Sequence, residues 1–161
     1  VSPVFPNDMP AQQMEADDLV EQFTPIGPNQ IFSPGYGGGA NYAPISFSKD
    51  TGYLYINAID QPFNSGRDPK GYFSAYDPTT GELIWRQIFE GYGQAGSVVT
   101  AGGIVFVGAG SNTAGYFYAY DAYTGEELWK FNTGAGVFAS PSIYVIDGQE
   151  YVTVGQLIEI E

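Results

Sequence analysis

The residues of this 161-residue chain that could do chemistry are few and mostly neutral. The chain has no histidine and no cysteine. That removes the commonest general base and metal ligand, the thiolate nucleophile, disulfides and thiolate-held metals or haem. The carboxylates at repeated positions, Asp77 and Asp121, each open an Asp-x-x-Thr-Gly turn, where an aspartate accepts backbone N–H groups two residues on. Glu82, Glu126 and Glu127 follow those turns and are expected in solvent. What remains is the stretch Ser33–Pro44, with glycines at 35, 37, 38 and 39 followed by Asn41 and Tyr42. Such glycines let a backbone pass close to a ligand or another surface, and the Asn41 amide can donate to a carbonyl or carboxylate oxygen. No Gly-Lys-Ser/Thr and no helical pattern follows, so this is not a phosphate loop. The same glycines also suit a bulged lead-in to a strand.

The elements that must position these residues come from one stretch that occurs twice. Tyr72–Trp85 reappears as Tyr116–Trp129, with Asp77, Gly81 and Trp85 each shifted by 44 residues to Asp121, Gly125 and Trp129. Each copy reads as a strand, a tight turn and a return strand ending on Trp. A fixed period in the forties built from short alternating runs marks the blades of an all-β propeller. Upstream of each copy lie two more strand-like runs, Ile45–Ser48 with Tyr53–Ala58, and Ser97–Thr100 with Ile104–Gly108. A third set begins at Val137–Tyr144 and turns at Asp147-Gly148 into Gln149–Gly155. The expected organisation is a connecting segment with the glycine-rich loop over 1–41 and propeller blades over 42–161, divided as 42–89, 96–132 and a partial blade at 137–161. Trp85 and Trp129 are both expected to be buried against adjacent blades. Prolines 3, 6, 10, 25 and 28 confine residues 1–30, leaving space for one short helix over 11–23.

The repeat Ala75-Tyr76-Asp77-Pro78-Thr79-Thr80-Gly81-Glu82-Leu83-Ile84-Trp85, with its copy from Ala119 to Trp129, resembles the tryptophan-docking repeat of quinoprotein dehydrogenases. Gly38-Gly39-Ala40-Asn41-Tyr42-Ala43-Pro44 likewise resembles their Gly-Gly-x-Asn-Trp-x-Pro segment, with Tyr42 in place of Trp. The third set resembles the family's Ile-x-Ala-x-Pro-x-Thr-Tyr strands. Gly91–Ser97 stands where the family has Trp-Gly-Gly or Trp-Asn-Gly-Gly, and here Tyr92 or Gln94 falls near the position of that Trp.

The resemblance covers residues 33–155 and implies the C-terminal part of an eight-bladed propeller carrying pyrroloquinoline quinone (PQQ) and oxidising a neutral alcohol or sugar. It implies that Asn41 donates to the cofactor and that Tyr42, Gln94 and Val137 or Phe138 shape the pocket. The catalytic Asp and the ligands of a divalent metal (calcium) or a lanthanide are implied to lie outside this chain. It further implies a periplasmic or extracellular location and a cytochrome as electron acceptor. The alternative is a non-enzymatic propeller of the same repeat, a scaffold for protein contacts.

Composition bounds the rest. Five Lys plus Arg against 18 Asp plus Glu, a formal charge of −13, opposes nucleic-acid binding. No apolar run approaches the roughly 18 residues of a membrane helix. Val1–Pro6 is not a signal peptide, so a signal would lie outside the sequence. A propeller needs about four to eight blades, and 161 residues hold fewer than four of 44. The remaining blades are therefore expected from another chain or from a missing N-terminal region, and the isolated chain is expected to be insoluble or to bind the chain that carries them.

Overall fold

A computed structural model describes residues 39–61, 66, 68–111 and 114–155. The possible helix at 11–23 and glycines 35, 37 and 38 lie outside them. Ten strands and no helix occur among the described residues. Strands β1 (Ser46–Phe47), β2 (Leu54–Asp60), β3 (Lys70–Tyr76) and β4 (Leu83–Glu90) form one antiparallel sheet in chain order. A second sheet repeats the plan with β5 (Ser97–Val99), β6 (Ile104–Gly110), β7 (Gly115–Asp121) and β8 (Glu127–Asn132). A two-stranded hairpin, β9 (Ser142–Ile146) and β10 (Gln149–Thr153), follows. Asp147 and Gly148 join it with φ of 51° and 80°, the doubly left-handed turn that matches strand twist.

The 44-residue offset survives in the register. Ala75 pairs with Trp85 and Ala119 with Trp129, and each pair is followed by a bulge, at Ala75/Tyr76 and at Ala119/Tyr120. Asp77 Oδ1 accepts the Thr79 amide at 2.7 Å and the Thr79 hydroxyl at 2.6 Å. Asp121 Oδ1 accepts the amides of Tyr123 at 2.9 Å and Thr124 at 2.8 Å. The turn closes when Gly81 donates to Asp77 O at 2.7 Å and Gly125 to Asp121 O at 2.9 Å. These bonds hold both carboxyls below their ordinary pKa, led by the Thr79 hydroxyl for Asp77 and by the Thr124 amide for Asp121, because they favour the ionised form.

The core lies between the two four-stranded sheets. Tyr55, Phe73, Trp85 and Phe89 of the first meet Val105, Val107, Tyr118 and Tyr120 of the second. Phe89 stacks on Tyr118 with centroids 4.9 Å apart, and Trp85 lies 6.4 Å from Tyr120. The polar tips of this layer find a shared acceptor, as buried phenols and indoles must: Tyr55 Oη and Trp85 Nε1 each donate to Ala122 O at 3.1 Å. Burial raises the phenol pKa of both Tyr55 and Tyr120.

The second Trp departs from expectation. Trp85 is 8% exposed, whereas Trp129 is 48% exposed, edge-on to Phe117 and stacked on Phe131. Trp85 is covered because the next sheet supplies a turn at Asp121–Gly125. Among the described residues no turn from a neighbouring sheet covers Trp129 in the same way. The described part of the third set is only the hairpin β9–β10, which carries no such turn.

Candidate functional site

The candidate site is built from the segments that lead into the innermost strands β1, β5 and β9. The first is tied to the sheet it precedes, since Gly39 O accepts the Ile59 amide at 3.1 Å. Beyond that bond the chain turns outward, leaving Asn41 and Tyr42 exposed, Tyr42 by 64%. Pro44 O then accepts the Ser97 amide at 3.4 Å, and the hydroxyls of Ser46 and Ser97 are 2.7 Å apart. The start of β1 is thereby stitched to the start of β5.

The second segment, Gly91–Gly96, is pressed against its neighbours. Tyr92 exchanges two backbone bonds with Gly110, at 2.8 and 3.1 Å. A Cβ on Gly93 would lie 2.5 Å from Ala58 O and 2.6 Å from Asn57 Oδ1. A Cβ on Gly96 would overlap Ser140 Oγ and sit 2.8 Å from the Pro44 ring. Real Cβ atoms do not come that close to their neighbours. Glycine is therefore required at both positions by space, and at Gly96 all three lead-in segments converge. Gln94 is half-buried between these two contacts.

The structure thus brings the segments of Asn41, Tyr42 and Gln94 to one end of the sheets. Val137 is set back from them. It is fully buried over Gly108, whose missing side chain makes the space for it. Its neighbour Phe138 meets Tyr92 edge-on, with centroids 6.3 Å apart. Phe138 and Tyr92, both nominated by the sequence as alternatives, are the pair in ring contact. None of the four principal candidates lines the cleft of about 780 Å3 bordered by Asp68, Lys70, Gly91, Gly110, Ser111 and Tyr116.

Sequence reasoning missed Asn57. This residue sits in β2, 4% exposed, and its Nδ2 donates to Ala95 O at 2.9 Å and to Gly108 O at 3.2 Å. The available signal was one amide within the otherwise apolar or small run Leu54–Ile59.

In chemical terms the gathered side chains are neutral. An exposed Asn41 amide offers two N–H donors, and Tyr42 offers a flat ring and a hydroxyl. That set fits one wall of a pocket for a planar acceptor-rich molecule such as a quinone bearing carboxylates. It contains no general base, and among the described residues no three acidic side chains group to hold a metal ion.

Known proteins share this repeat and fold. The sequence profile described as "Glucose/ethanol/alcohol dehydrogenase, beta-propeller domain", of the PQQ type, matches residues 87–152. The chain is 37% identical to quinoprotein alcohol dehydrogenase PedE of Pseudomonas putida over 76% of the chain and 23% of that protein. It is 33% identical to the quinone-dependent 1-butanol dehydrogenase of Thauera butanivorans, over 94% of the chain and 26% of that protein. Among solved structures, quinohemoprotein alcohol dehydrogenase from Comamonas testosteroni superposes with a TM-score of 0.68 at 28% identity, over 79% of this chain and 24% of that one. The chain spans about a quarter of the length of the curated relatives it matches. These likenesses fall on dehydrogenases and do not favour the scaffold alternative. By repeat, fold and sequence together, the chain carries β-propeller blades of the PQQ-dependent quinoprotein alcohol dehydrogenase type.

Proposed function

We propose that this chain forms blades of a PQQ-dependent alcohol dehydrogenase and supplies one wall of its cofactor pocket. The observation that carries this reading is the convergence at Gly96, where the lead-in segments of three successive inner strands meet and leave Asn41 and Tyr42 facing outward beside them. A scaffold has no use for a glycine-dependent convergence next to an exposed amide and an exposed ring. The names of the relatives, ethanol, alcohol and 1-butanol dehydrogenase, favour a neutral alcohol as substrate over a sugar.

When bound, the quinone supplies a two-electron acceptor for alcohol oxidation. The work of this chain is positional. Asn41 donates an N–H to a quinone or carboxylate oxygen, Tyr42 and Gln94 bound the substrate side, and Val137 backs the wall from its seat over Gly108 of the second sheet. Trp85 and Trp129 act as docking residues between blades. Further blades carry the catalytic base and the ligands for calcium or a lanthanide, the latter as in the europium-containing methanol dehydrogenase that superposes with a TM-score of 0.61 at 27% identity. The location is periplasmic or extracellular, and a cytochrome receives the electrons.

The test is a quinone titration of the complete enzyme, wild type against Asn41→Ala, with unfolding measured alongside. Loss of one hydrogen bond to a charged ligand is worth about 1.5–3 kcal/mol, or roughly tenfold or more in affinity. Stability should be unchanged, because Asn41 is exposed. Equal affinity in the two proteins refutes the assignment.

A further inference from the structure

We propose that Asn57 is the positioning residue for the Gly91–Gly96 segment, holding Gln94 at its place in the pocket wall. The inference rests on the quinone-pocket reading above for the role of Gln94, but not for the restraint itself. The side chain projects from β2 of the first sheet and reaches two carbonyls that belong to different parts of the second: Ala95 O in the lead-in segment and Gly108 O in β6. One amide group therefore ties the segment to both sheets at once. The two carbonyls fix its orientation, since only the NH2 end can donate to them. The other end, Oδ1, is buried with no hydrogen-bond partner and faces Gly93.

Buried polar atoms are normally satisfied, and an orphaned acceptor calls for an explanation. A leucine of the same branched shape would carry no orphaned oxygen but would take the Asn57 donor away from the Ala95 and Gly108 carbonyls, so packing alone does not account for an asparagine here. What leucine cannot do is hold two carbonyls of separate segments. The surrounding glycines point the same way. A Cβ on Gly71 would lie 2.7 Å from Gly93 N, and one on Gly93 would lie 2.6 Å from Asn57 Oδ1. The segment is threaded between Gly71 and Asn57 with no slack on either side. With Gln94 adjacent to Gly93 on one side and Ala95 on the other, the bond to Ala95 O acts one residue from the candidate cofactor contact.

The experiment uses the complete enzyme and compares wild type with Asn57→Leu, which keeps the branched shape and removes the donor, and with Asn57→Ala. Three quantities are read: the thermal midpoint, hydrogen–deuterium exchange of a peptide covering 91–97 without quinone, and the dissociation constant for PQQ. The expected result is a midpoint within about 4 °C of wild type, faster exchange at 91–97 with the turn at 101–103 unchanged, and PQQ binding weakened about tenfold. Unchanged exchange at 91–97 overturns the proposal. So does failure of both variants to fold, since the amide would then serve the fold as a whole. If Asn41→Ala weakens binding but neither Asn57 variant does, the pocket reading stands and this inference falls. If Asn41→Ala binds normally, the pocket reading falls, and the exchange result alone decides whether Asn57 restrains the segment.

Discussion

Trp85 rests on Gly125. The indole of the first sheet lies so close to the turn of the second that a Cβ on Gly125 would be 2.6 Å from Trp85 Cδ2. Gly125 also holds a φ of 74°, and two residues from Trp85 the Gln87 side chain donates to Gly125 O at 2.8 Å. One glycine thus meets both the turn's demand for a left-handed residue and the neighbouring sheet's demand for space.

Trp85→Ala should cost about 3–5 kcal/mol, as expected for a buried aromatic that also loses a hydrogen bond. Gly125→Ala should cost about 1–3 kcal/mol through overpacking and backbone strain together. Urea unfolding of both variants checks this. A loss under about 0.5 kcal/mol for Gly125→Ala would show that the ring is not seated there.

The two tryptophans should respond differently to a quencher. In the 161-residue chain, Trp129→Phe leaves only buried Trp85, which should show blue-shifted emission and weak acrylamide quenching. Trp85→Phe leaves the half-exposed Trp129, which should be quenched readily. In a protein with a further blade bearing the matching turn, Trp129 should become protected too. Equal quenching of the two in the 161-residue chain would contradict the structure.

Gly96→Ala should push apart the starts of the three inner strands, since its methyl group overlaps Ser140 Oγ and the Pro44 ring. A destabilisation of about 1–3 kcal/mol is expected. Adding Ser140→Gly removes one of the two clashes, so the double variant should recover part of the loss. A double-mutant cycle with no coupling between 96 and 140 would place these residues apart.

Asp77 and Asp121 should contribute to acid unfolding. Both carboxyls titrate below their ordinary value of 3.8 in the folded chain. Their contribution is therefore present above that value and is lost as pH falls through the lower, folded one. Replacing both by Asn keeps the turn's acceptor oxygens but removes the titration. The variant should be less stable than wild type at pH 7, and the gap should close below about pH 3.8. A gap that is constant with pH would mean that the charge does not stabilise the turns.

Local pattern alone determined the blades. Alternation, the Asp-x-x-Thr-Gly turns and the 44-residue offset depend on residues near one another in the chain, and the observed registers follow them. The chemistry of the lead-in at Asn41 and Tyr42 was also readable, because a glycine run before an amide is a local signal. Tertiary structure decided what lies between the sheets. Trp85 and Trp129 stand at equivalent positions of the repeat, yet among the described residues only Trp85 has a turn from a neighbouring sheet over it. The burial of Val137 over Gly108 was likewise decided by a contact between distant segments. Asn57 carried no motif, because its two acceptors are 38 and 51 residues away in the chain. Burial and long-range hydrogen bonding are properties of what two distant segments present to each other, and a pattern read along one segment does not contain them.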